Sequence, residues 1–201
     1  IVGYDLSDIA PPFMRDALEG QTGSDLSIGG TGTSAITAYR PVNIEGLNWA
    51  ILSRIDGEEI LTPTKADSEK DFLTLYKESY GYSDVFLIHP NGDIFFSVEK
   101  NADYHTNILT GEYRDNNLGE LMDELGSELG YEFVDFAFYA PSNTISSFTG
   151  IPLLDNENEV EMYVVAQISQ TEIGAILAET TGLGETGETY IVGNDQLWRN
   201  N

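Results

Sequence analysis

The chain has 201 residues, and nine basic against 34 acidic side chains leave a formal net charge of −25. A field of that sign repels nucleic acid and anionic lipid headgroups, so neither is expected as a partner. Cysteine is absent, which removes disulfides, thiolate catalysis and cysteine-based metal sites, while 41% hydrophobic and 11% aromatic content suits one large or two small folded domains.

No run approaches the roughly 18 consecutive apolar residues of a membrane span, and no signal peptide is read at the start. Residues 12–19 predict a short helix, with proline at a permitted first-turn position and Gly20 to end it. Residues 34–39 and 48–55 read as two strands joined across residues 41–46. The apolar run SDVFLI (83–88), the turn HPNG and the second run DIFFSV (93–98) predict a hairpin, because Asn-Gly accepts the positive φ of a tight reversal. A polar, turn-rich loop follows over residues 99–114. Leu118, Leu121, Met122, Leu125 and Leu129 then fall at helical spacing with an acidic opposite face, so this helix should lie on a sheet. Residues 132–139, 144–151 and 160–168 are β-rich runs separated by turn residues. Residues 171–179 read as a short helix, and residues 189–199 repeat the hairpin design at lower apolarity.

Three stretches, GLGETGETYIVGND, YGYSDVFLIHPNGDIFFSVEKNADYHTNILTGEYRD and DFAFYAPSNTISSFTGIPLL, together resemble the double-Cache family of extracytoplasmic sensor domains. The resemblance implies an α+β fold with two PAS-like modules, each an antiparallel sheet of about five strands flanked by helices. Residues 64–180 resemble the membrane-distal, ligand-binding module. Residues 181–201 resemble the opening of the membrane-proximal module and residues 1–63 its end, so the segment order departs from the family's. A permuted order, a tandem repeat cut across two copies and an unmatched gap all explain this. Strands at residues 34–39 or 48–55 are then expected to pair with residues 189–192.

Catalytic patterns are weak. His89 and His105 are the only histidines, in no HExxH or HxH pattern, and metal ligation is not expected. The glycine runs near residues 29–32 and 182–187 lack the ending of a phosphate loop, and no GxSxG elbow occurs. The acidic run DNENEVE lacks the spaced ligands and central glycine of a calcium loop. No catalytic residue and no cofactor is assigned.

The resemblance instead implies a concavity where the loop and helix after the first hairpin cross one face of the sheet. Asp103, Tyr104, His105, Thr106, Asn107 and Tyr113 would supply one wall. Asp135, Phe136, Phe138, Tyr139 and Phe148 would face them, although alternate aromatics such as Phe136 and Phe138 are more often core than ligand wall. The expected function is small-molecule sensing by a receptor ectodomain outside the cytoplasmic membrane, with an amino acid, organic acid or amine as ligand and a homodimer left open. A membrane would enter only through helices outside this chain. Two alternatives stand beside it: an acidic hydrolase using a carboxylate pair, and a PAS-like spacer whose pocket is filled by its own side chains.

Overall fold

A computed structural model of the protein describes residues 10–28, 34–61, 70–127, 130–178, 182–183 and 186–199. The chain divides into two compact units, residues 1–63 and residues 64–201, and each is taken by itself.

In the first unit, α1 (Pro12–Leu18) precedes β1 (Gly23–Ile28), β2 (Ser34–Ile44), β3 (Leu47–Asp56) and α2 (Gly57–Leu61). The three strands form an antiparallel sheet in the order β1-β2-β3, so the described residues supply three strands rather than the five of a full module. α1 buries Phe13 and Ala17, and the Phe13 ring stacks on Tyr39 with centroids 6.0 Å apart. β1 is unforeseen because GSDLSI carries little β propensity, and the sheet supplies its order through the ladder to β2. β2 also runs past the expected break at Pro41. Among the described residues the ladder to β1 ends at Tyr39, and proline is tolerated where no ladder donor is required. Glu45 and Gly46, the latter at φ +82°, then make the reversal into β3.

The second unit contains α3 (Phe72–Tyr80), β4 (Asp84–Ile88), β5 (Ile94–Ser97), α4 (Asn117–Ser127), β6 (Glu132–Tyr139), β7 (Thr144–Leu154), β8 (Val160–Ser169) and α5 (Gln170–Leu177). Its five strands form one antiparallel sheet in the order β5-β4-β8-β7-β6. This is the expected sequence of hairpin, loop and helix, then three strands. Asp71 starts α3 by accepting from the Thr74 amide, and Gly81 in the left-handed region at φ +70° ends it. A capping box between Ser169 and Glu172 starts α5.

α4 lies across β6 and β7 and buries Leu118, Leu121, Met122 and Leu125 against Phe86, Ile88, Ile94, Val134, Phe148 and Val165. Leu129 falls outside the described residues. The close approach of α4 to the preceding loop depends on Gly119, where an added Cβ would sit 2.0 Å from the Arg114 carbonyl oxygen. In β8 the inward positions are Tyr163, Val165, Gln167 and Ser169. The covered face is therefore apolar at one end and polar at the other.

β6 carries a bulge. Val134 pairs with Phe148 and Ala137 with Ser146, so Asp135 and Phe136 together oppose Ser147.

Candidate functional site

The polar end of the covered face is built from all five strands, α4 and the loop at residues 99–116. Asp84 opens β4 fully buried, opposite Gln167 of β8. Its Oδ1 accepts from the amides of Val85, Val98 and Glu99 at 2.7, 3.0 and 3.1 Å, and Oδ2 accepts from Ser97 Oγ at 2.7 Å. Burial pushes its carboxyl up to about 6 against those bonds, with a smaller push from the nearby Asp103 charge. Asp103 is also fully buried and accepts a short hydrogen bond from the Tyr139 hydroxyl. Burial raises the pKa of both: Asp103 against the Tyr139 bond, and Tyr139 with the Asp103 charge adding to the rise.

Around this pair the side chains interlock. The Tyr139 ring meets Phe148 edge-on with centroids 4.7 Å apart, and Phe148 is the cross-strand neighbour of Gln167. Gln167 Nε2 donates to Ser142 Oγ and Ser146 Oγ, each at 2.8 Å. Asn117, at the start of α4, donates from Nδ2 to the carbonyls of Ser146 at 2.7 Å and Asp135 at 3.2 Å. Among the described residues, three buried acceptors on this face have no hydrogen-bond partner: Asp103 Oδ1, Asn117 Oδ1 and Gln167 Oε1. A buried acceptor without a donor costs on the order of 1–3 kcal/mol, more when charged. Each of the three calls for a donor, and Asp103 Oδ1, the carboxylate oxygen among them, calls for one carrying positive charge when ionised.

The opposite face of the sheet bears an open cavity of about 470 Å³, lined by Phe133, Phe136, Ile168, Ile173, Ile191 and Val192 with Asp135, Ser147 and Arg199. Arg199 Nε and Nη2 grip Asp135 at 2.8 and 2.5 Å, and Nη2 also meets Asp195 at 2.8 Å. The guanidinium passes so close to Gly193 that an added Cβ there would lie 2.1 Å from Nη2. Its hydrogen bonds hold the Asp135 carboxyl below the usual carboxylate range.

The residues singled out in the sequence thus divide. Asp103, Tyr139 and Phe148 meet on the covered face, with Tyr113 packed at the margin of the same core. Asp135 and Phe136 line the cavity on the other side, and Phe138 is exposed at 61%. Asn107 holds the loop's shape: Nδ2 donates to Asp93, and Oδ1 accepts from the Leu109 and Thr110 amides. Thr106 Oγ1 donates to the Asp103 carbonyl at 2.6 Å. His105 sits exposed in the left-handed region at φ +63°, its ring 3.7 Å from that of Tyr104, whose hydroxyl is buried without a partner. Gln167, Asn117, Asp84 and Arg199 were not foreseen. For Gln167 a signal existed, since it lies in phase with Tyr163 and Val165 on a central strand.

No group of His, Asp or Glu among the described residues is arranged to hold a metal ion. No described helix is long and apolar enough to cross a membrane.

No family model and no curated protein matches the chain. Among solved structures, it is similar to the periplasmic sensory domain of the Campylobacter jejuni chemoreceptor Tlp1, with 11% identity and a TM-score of 0.51, over 85% of this chain and 59% of that one. It is also similar to the ligand-binding domain of the Pseudomonas aeruginosa amino acid chemoreceptor PctB in complex with L-Gln, with 14% identity and a TM-score of 0.46, over 90% and 64%. A third similarity is to the V. cholerae histidine kinase DctB sensor domain, with 16% identity and a TM-score of 0.39, over 52% and 37%. The chain spans less than two thirds of the length of each of these structures. Its fold is the α+β, PAS-like fold of Cache-type extracytoplasmic sensor domains.

Proposed function

We propose that residues 64–180 form a ligand-binding module of an extracytoplasmic sensor, and that the ligand is a small molecule presenting a protonated amine to Asp103. The observation that carries this is the set of three buried acceptors, Asp103 Oδ1, Asn117 Oδ1 and Gln167 Oε1, gathered at one end of the covered face without donors. An ammonium group supplies three donors and a charge. It would restore the ionised form that burial of Asp103 disfavours, while Tyr139 and Phe148 give the aliphatic part of the ligand an aromatic wall. The domain acts by binding and not by catalysis. In this reading residues 181–201 and 1–63 belong to the membrane-proximal module, and the whole lies outside the cytoplasmic membrane.

A thermal-shift screen of amino acids, simple amines, organic acids and sugars tests it. An amine-bearing compound should raise Tm, and Asp103→Asn should abolish that rise while the protein stays folded. A stabiliser insensitive to Asp103→Asn but lost in Phe136→Ala moves the site to the opposite cavity.

A second reading has its own support, because Tyr139, Phe148 and Ile108 are fully buried and fill much of the covered face. A structural spacer would give no stabiliser at all in the same screen.

A further inference from the structure

We infer that the β6 bulge at Asp135 and Phe136 is a transmission element, which reads the state of the buried polar cluster on the covered face and passes it to residues 191–199. The inference rests on the ligand reading only for what sets the cluster's state. The physical connection is independent of it.

A bulge puts two residues of one strand opposite one of its partner, and so frees backbone groups and redirects side chains. Both consequences are used at Asp135. Its carbonyl accepts from Asn117 Nδ2, the same atom that donates to the Ser146 carbonyl on the covered face. Its carboxylate lies on the other face and is gripped through two oxygens by Arg199. One residue therefore has its backbone held from one side of the sheet and its side chain from the other.

The far end of this connection is a small closed structure. Val192 bridges Trp198, the Gly193 amide donates to the Leu197 carbonyl, and the Arg199 amide donates to the Ile191 carbonyl. Gly193 is required where the guanidinium crosses it, and Asp195 braces Arg199 from within the same turn. A planar, two-oxygen grip is directional, so rotation of the Asp135 peptide weakens it more than it would weaken a point contact with lysine. On the near end, Asn117 Oδ1 has no partner, and Asn117 shares Ser146 with Gln167. A donor arriving at Asn117 Oδ1 would turn that amide, and the Asp135 carbonyl would feel the change.

The test needs no ligand to begin. Amide hydrogen exchange is followed at Gly193 and Arg199, whose amides donate within this turn, with β4 and β5 as internal references. Asn117→Ala should speed exchange at those two amides by about fivefold or more, a typical coupling between linked sites, and leave the references unmoved. Arg199→Lys should do the same, and the double variant should add little beyond Arg199→Lys alone. Unchanged exchange at residues 192–199 in Asn117→Ala would overturn the inference. If Asn117→Ala fails to fold, reciprocity supplies the second arm: Arg199→Lys must alter exchange in the first turn of α4, and an unchanged first turn overturns it equally. An amine that stabilises the protein through Asp103 yet leaves exchange at residues 192–199 untouched sinks the transmission while sparing the binding site. Failure of every amine with coupled exchange intact does the reverse.

Discussion

Asp84 contributes to the pH response of the second unit. Its carboxyl sits at about 6 in the fold against an ordinary 3.8, so the folded state binds this proton more tightly than the unfolded chain. The stability it contributes is complete below 3.8 and is lost as pH rises through 6, amounting to about 3 kcal/mol at most. Asp71 and Asp135 act in the opposite sense, because hydrogen bonds from Thr74 and Arg199 respectively offset burial and hold them below the usual range; what they add is lost as pH falls. Comparison of wild type with Asp84→Asn isolates the first effect, since the amide keeps an acceptor for the three backbone donors and can donate to Ser97. The variant should gain on wild type in urea denaturation at pH 7.5 and lose that advantage by pH 4. A pH-independent difference would refute the assignment. Tyr139→Phe removes the hydroxyl donor to Asp103 and should cost about 1–3 kcal/mol by the same measurement.

At the scale of elements, α4 carries the core of the second unit. Leu121 is fully buried between the helix and the sheet, and Leu121→Ala should cost about 2–5 kcal/mol with an unchanged denaturant slope. Gly119→Ala should cost about 1–3 kcal/mol, because the clash is with the Arg114 backbone and not with a side chain that can swing away. The apolar spacing of Leu118, Leu121, Met122 and Leu125 made this helix readable in the sequence, and the Asn-Gly turn did the same for the β4–β5 hairpin. Strands β6, β7 and β8 were legible from their β-rich runs. β1 was not, since GSDLSI has no strand signature and acquires its order only from β2. The bulge was equally hidden. An unbroken alternation would put Asp135 on the same face as Tyr139, whereas the extra residue sends it to the other side and parts the two halves of the expected site. Asp103 and Tyr139 could be nominated one by one from their types. Gln167, Asn117 and Arg199 become partners of those residues only through register and helix placement, which no local pattern encodes.

For the molecule as a whole, the net charge of −25 must be borne at the surface, where like charges repel in the compact state. Raising NaCl from about 0.01 to about 1 M shortens the screening length from roughly 30 to roughly 3 Å. The urea midpoint should rise across that range, and a flat or falling midpoint would show that the acidic surface carries no net strain. The edges of the five-stranded sheet are protected by their geometry. β5 is four residues long and β6 is bulged, two features that discourage edge-to-edge pairing between copies.

The place of β4 and β8 at the centre of the five-stranded sheet decides how that sheet answers to force. They are the first and last strands of the sheet in the chain, and they pair antiparallel over five rungs from Asp84–Gln167 to Ile88–Tyr163. The preceding chain leaves from Asp84 and the following chain from beyond Gln167, so both attachments are at one end of the ladder. Tension between those attachments loads the rungs one after another, as in opening a zip, and does not shear all five together. The first rung to carry the load is Asp84–Gln167, itself part of the buried polar cluster, so a tug on the flanking chain would be felt there before anywhere else in the sheet.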